Sequence, residues 1–191
     1  MEKQGQRSMV RKMSVAGMLS AVCVILGLTG YGFIPLPMIK ATIIHIPVII
    51  GAILEGPLAG MLIGLIFGLF SIFQNMAVPS LLSFALINPL VSVLPRVLIA
   101  LTAYYSYRLL AGRREAAAIG LGAAIGSLTN TIGVLGMIYL LYAADFAAAR
   151  GIAPDAVLQV IGGVALMNGL PEAVISVLIV IPVVLAVRKV K

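Results

Sequence analysis

Two ionisable residues stand alone inside long apolar runs, Arg96 in VSVLPRVLIAL and Glu172 in NGLPEAVISV. A cation and an anion in such surroundings can neutralise each other, either as a fixed brace or as the floor of a polar binding site. Three carboxamides accompany them. Asn88 and Asn168 each shortly precede a proline, and Asn130 lies between two threonines in LTNTIG. A carboxamide offers donors and an acceptor, so each can bridge two helices, and together they can line a small polar pocket. Gln74 and Asn75 stand where they would close such a pocket from one side. The sole histidine, His45, occurs in ATIIHIPVIIGAIL, shortly after Lys40. It reads either as a satisfied structural residue or as a pocket donor, and with Lys40 it would suit an anionic ligand.

Other chemistry is excluded by residue type. With one cysteine, Cys23, and one histidine, the chain has no disulfide framework and no zinc ligand set. No catalytic triad, phosphate-binding loop or metal motif occurs, so the expectation is a protein that is not an enzyme and uses no cofactor and no metal.

The elements that hold these residues follow from composition. Of 191 residues, 62% are hydrophobic and 10% charged, whereas a soluble domain carries about 25% charged residues. Nearly the whole chain must therefore face lipid or other apolar helices, and runs such as VLIVIPVVLAV lack the alternation of a membrane barrel. At about 20 residues per span the length allows about six. The reading is an all-α integral membrane protein, one domain over 1–191, with spans near 13–30, 41–54, 57–74, 81–107, 115–143 and 156–187. The basic start RSMVRK precedes a retained first span rather than a cleaved signal. Ten of the thirteen Lys and Arg fall in the tails and in the loops on their side, which predicts six transmembrane helices with both termini cytoplasmic. The net charge of +7 needs no nucleic acid, because topology and anionic lipid account for it.

Within this frame EGP at 55–57 is a turn between two antiparallel helices, and Glu55 is read as a turn residue only. Pro47 is expected to break the first of these helices, and 31–40 to form a structured cap beside it. Gly56, Gly60, Gly64 and Gly68 share one face of the third span, for internal packing or for another subunit. The first span carries two interleaved small pairs, Ala16/Ser20 and Gly17/Ala21. Counted along their spans, Arg96 and Glu172 come to similar mid-membrane depth, which predicts that they pair.

The segments IIHIPVIIGAILEGPLAGMLIGLIFGL (43–69), INPLVSVLPRVLIALTAYY (87–105) and LTNTIGVLGMIYLL (128–141) resemble the S components of energy-coupling factor (ECF) vitamin transporters. The resemblance implies a six-helix substrate-binding subunit of the plasma membrane with its ligand site near the outer surface, capped by the first and third loops. It implies a vitamin ligand, a transmembrane T subunit and two ATPase subunits as partners, and T-subunit contact through Ala16, Gly17, Ser20 and Ala21. The family's usual Ala-x-x-x-Ala is replaced here by Ala16-x-x-x-Ser20 or Gly17-x-x-x-Ala21. The stretch KATIIH lacks the acidic residues of riboflavin-type members and looks most like pantothenate-type ones. The substrate-binding set is then Lys40, His45, Gln74, Asn88, Arg96, Asn130, Asn168 and Glu172. Rival readings are riboflavin or another vitamin as ligand, a proton-coupled secondary transporter using Glu172 and His45, and a structural membrane subunit without a ligand.

Overall fold

The computed structural model describes residues 2–35, 40–112 and 114–190, and of these the side chains of 2–8, 33–35, 40 and 41 lie outside the description. Among the described residues the regular elements are helices and one two-stranded hairpin. In chain order they form α1 (Glu2–Thr29), β1 (Phe33–Pro35), β2 (Lys40–Thr42), α2 (Ile46–Glu55), α3 (Pro57–Ala77), α4 (Ser83–Leu86) and α5 (Pro89–Ser92). Then come α6 (Leu94–Leu110), α7 (Glu115–Arg150), a 3-10 turn (Pro154–Ala156) and α8 (Val157–Val190). Among the described residues, five helical stretches are long and apolar enough to cross a membrane: Met9–Thr29, Pro57–Ala77, Pro89–Leu110, Glu115–Arg150 and Pro154–Val190. Leu28, Leu140, Leu166 and Leu178 are among the many large apolar side chains that point away from the bundle. Lipid is the solvent in which that exposure carries no penalty.

α2 is the centre of the molecule. It packs against α1, α3, α6, α7 and α8, and an apolar helix buried on every side needs no polar face. Its ten residues make about 15 Å of helix, half a hydrocarbon core. The expected span 41–54 is therefore corrected: residues 40–42 are strand, and the helix starts at Ile46. Pro47 does not break this helix. It sits in the first turn, where its missing N–H would have had no helical partner, and the Ile43 carbonyl accepts from Ile46 N–H at 3.1 Å. β1 and β2 pair antiparallel, Ile34 opposite Ala41; of the segment 31–40 read as a cap, residues 36–39 lie outside the described residues.

The EGP turn forms as read. Gly56 ends α2 at φ +97°, a region that favours glycine, and Pro57 opens α3. The glycine stripe of α3 packs internally. A Cβ on Gly60 would meet Ala52 and Ala100, one on Gly64 the Arg96 carbonyl, and one on Gly68 the Val93 backbone at 2.7 Å. α3 and α6 thus lie backbone against backbone. In α1, Ala16 and Ser20 face the bundle interior, whereas Gly17 and Ala21 face outward.

The expected span 81–107 is interrupted. α4 and α5 are single turns, and α6 begins only at Leu94, with Pro95 in its first turn. Asn88 caps the α5 turn through Leu90 N–H at 2.9 Å, which lets the chain change direction at Pro89. α7 continues past its expected end at 143, but it kinks at Tyr142, whose φ −139° and ψ 27° are non-helical. α8 carries Pro171 and Pro182 in its interior. At the end of the bundle that holds both termini, Arg188 bonds Glu115 at 2.6 Å and the Tyr107 hydroxyl at 3.0 Å. Glu55 is more than a turn residue: its side chain is buried and pairs with Arg11 at 3.1 Å, joining α2 to α1.

Candidate functional site

Hydrogen-bonding residues recur one turn apart on α7 and α8. Ser127 and Thr131 are four apart on α7, as are Asn168, Glu172 and Ser176 on α8, so each set lies along one helix face. The two helices are antiparallel neighbours, and the faces meet as rungs. In the inner rung, His45 at the head of α2 places Nε2 3.0 Å from both Ser127 Oγ and Ser176 Oγ. In the next rung, Glu172 accepts from Thr131 Oγ1 and from the Thr42 backbone N–H, each at 2.8 Å. Asn168 lies one turn farther along α8, and Asn130 beside Thr131 on α7.

Arg96 does not pair with Glu172. Its Nη1 donates to the Val91 carbonyl at 2.8 Å, and its guanidinium lies 5.5 Å from the centre of the Phe67 ring. The break at Asn88 and Pro89 removes the continuous span on which equal depth rested. Arg96 instead lies within electrostatic reach of His45, and no described acid neutralises it.

Native interiors leave few buried polar atoms without a hydrogen-bond partner, so the exceptions carry information. Among the described residues five such side-chain atoms occur: Ser20 Oγ, His45 Nδ1, Arg96 Nε, Asn130 Oδ1 and Asn168 Oδ1. Four of the five belong to α2, α6, α7 and α8 residues of the expected binding set. Donors and acceptors are both represented, with an unneutralised guanidinium among them. Donors, acceptors and a cation of this kind are the chemistry that answers a small polar molecule carrying a negative charge.

Asn88, Gln74 and Asn75 are hydrogen-bonded within the protein. Asn88 uses both polar atoms, capping α5 and donating to the Tyr142 hydroxyl at 2.9 Å. Gln74 donates to the Gly27 carbonyl at 2.9 Å and braces α3 to α1. Asn75 bonds Ser71, Ser80 and Ser83 beside α4. Lys40 has its side chain outside the described residues. Sequence reasoning missed Ser127, Ser176 and Thr42; the four-residue spacing of Glu172 and Ser176 was the available signal.

Compared with known proteins, the chain matches the model of the family "ECF transporter, substrate-specific component" over residues 11–184. The chain belongs to this family. It is therefore a transport subunit of a membrane carrier, not an enzyme. It is also similar to the pantothenic acid transporter PanT of Lactococcus lactis subsp. cremoris, at 29% identity with 81% of each chain covered.

For this substrate-specific component the geometry separates capping from lining. Asn88→Ala is expected to lower thermal stability by about 1 kcal/mol through loss of a helix cap. Ligand affinity should stay within about twofold, because both Asn88 polar atoms are already engaged. Thermal unfolding and equilibrium binding on the same purified variant check this.

Proposed function

We propose that this S component binds pantothenate on the outer side of the plasma membrane and delivers it inward as part of an ECF importer. A T subunit and two ATPase subunits are its partners. The single observation that carries this reading is the set of four unpartnered buried polar atoms on His45, Arg96, Asn130 and Asn168, one of them on a cation without an acid. Pantothenate is a carboxylate with an amide and hydroxyl groups, so its charge answers Arg96 and its neutral groups answer the carboxamides and His45. The head of α2 lies at the same place, and the positive end of a helix favours an anion. The similarity to the Lactococcus transporter supports the same choice.

In this reading one membrane domain over 1–191 has six membrane helices, with α2 as the short one. Both termini are cytoplasmic, as the distribution of Lys and Arg supports. The exposed pair Gly17 and Ala21 is the face of α1 that meets the T subunit, while Ala16 and Ser20 let α1 pack closely on its own bundle.

Radiolabelled pantothenate binding to the purified chain tests the ligand. Saturable binding that excess riboflavin does not displace is expected. Absence of binding, or displacement by riboflavin, rejects pantothenate. Asn168→Leu is expected to weaken binding roughly tenfold by removing one ligand partner. Uptake that persists in cells without the T subunit and follows the pH gradient would reject the importer in favour of a proton-coupled carrier.

A further inference from the structure

Thr42 ends the hairpin on its α8 side. Ile43 N–H donates to the Gly32 carbonyl at 2.9 Å, and Phe33 stands opposite Thr42. N–H groups alternate in direction along an antiparallel strand, so Thr42 N–H points away from β1, at the free edge of the hairpin. An edge N–H among apolar helices needs an acceptor. Glu172 supplies it.

The two sides of the hairpin are held differently. Toward α1 it continues from the chain itself, with Gly32 N–H on the Leu26 carbonyl at 2.9 Å and Cys23 Sγ donating to the Ile44 carbonyl at 3.3 Å. Toward α7 and α8 it is joined at Glu172, where Thr42 N–H donates to Oε1 at 2.8 Å and the Thr42 side chain also bonds the carboxylate. The second oxygen of the same carboxylate is fixed by Thr131 of α7. One buried side chain therefore ties three elements together, directly beside the rung that holds His45 and one turn from Asn168.

We infer that Glu172 is a positioning residue, a latch that holds the β-hairpin against α7 and α8 and so sets how fast ligand enters and leaves. In this role its carboxylate acts on the protein itself, Oε1 holding Thr42 and Oε2 holding Thr131. The effect on ligand exchange rests on the pantothenate reading above, whereas the latch itself rests only on the hydrogen bonds. A carboxylate suits the task because it accepts from two donors on different elements at once. Glutamine retains an acceptor for Thr42 N–H and a donor for the Thr131 hydroxyl. Leucine retains neither.

Amide hydrogen exchange on the full-length protein in lipid nanodiscs, followed for the peptide spanning 40–46, tests the latch without any ligand. Glu172→Leu should speed exchange at Thr42 roughly ten- to hundredfold, with the distant part of α8 unchanged, while Glu172→Gln should stay within about threefold of wild type. Thr131→Val, which removes one hydrogen bond of the carboxylate and leaves the acid in place, should give a smaller acceleration of about two- to fivefold. That variant decides the matter if Glu172→Leu fails to fold. Unchanged exchange in the folded variants overturns the latch. In parallel, the off-rate of labelled pantothenate should rise roughly tenfold in Glu172→Leu, with the on-rate rising too, so that affinity moves less than either rate. Faster exchange at Thr42 with an unchanged off-rate overturns the control of ligand exchange. If wild-type protein binds no pantothenate, the ligand assignment fails and the exchange comparison alone decides the latch.

Discussion

Arg96→Leu is expected to weaken pantothenate binding by about 3 kcal/mol, roughly a hundredfold in Kd, while the protein remains folded. The size follows, on the pantothenate reading, from removing a buried cation and leaving the ligand carboxylate without that charged partner. The fold should survive because Arg96 makes little use of its donors internally. It has one hydrogen bond to the Val91 carbonyl and a face-on contact with Phe67, and its Nε has no partner at all. A leucine keeps the stem in the apolar packing and removes a charge that is expensive to bury unpaired. Arg96→Lys should fall between, keeping charge but losing the fork geometry of the guanidinium. Titration calorimetry with pantothenate, paired with thermal unfolding of the same sample, reads both effects. Wild-type affinity in Arg96→Leu would remove Arg96 from the site, and a collapse of folding would make it a structural residue.

Gly64→Val should have the opposite profile, with loss of folded protein rather than a selective loss of binding. A Cβ at Gly64 runs into the carbonyl oxygen of Arg96, a backbone atom in the middle of α6 that has no rotamer to escape into. The helices can accept the larger side chain only by parting along the whole stripe, because Gly60 and Gly68 hold the same close approach on either side. Overpacking of this kind costs about 3 kcal/mol, enough to empty the folded state of a marginal protein. Gly17→Val is the matched control. Nothing lies within 4 Å of a Cβ at Gly17, so folding should be unaffected. Co-purification with the T subunit should nevertheless be lost, because α1 would no longer admit a close neighbour there. Yield and thermal unfolding in detergent separate the two variants, and pull-down of the T subunit reads the second effect.

Much of this architecture is legible in the residues. The apolar runs and their breaks mark out the long helices, because a helix that crosses lipid needs about 20 apolar residues, but the ten-residue α2 and the break before Pro89 depart from that length. EGP marks the turn at Gly56, since few residues other than glycine sit at positive φ and proline fits the following first turn. The glycines at a spacing of four announce a close helix contact, although they do not say whose. His45, Arg96, Asn130, Asn168 and Glu172 are also visible as polar groups in apolar runs, whereas Ser127, Ser176 and Thr42 are not singled out. Membrane helices make polar residues conspicuous in a way that soluble helices do not.

Partnership among those residues was not legible. Position along a span gives height in the membrane, but neither the rotation of a helix about its axis nor the effect of a local break can be counted from it. Arg96 and Glu172 come to equal height only if 81–107 is one helix. The Asn88 cap and Pro89 end that continuity, and Arg96 turns to Val91 and Phe67 instead. Glu172 is taken by Thr42, a backbone group 130 residues away, and a backbone N–H leaves no trace in the residue types. Pro47 shows the same limit, since whether a proline breaks or begins a helix depends on where the first turn falls, and the β-hairpin decided that. The sequence by itself determined the solvent, the all-helical class and the inventory of polar groups, because those depend on composition and length. Tertiary structure decided which polar groups satisfy each other and which are left for a ligand, because that depends on helix rotation and on main-chain atoms common to every residue.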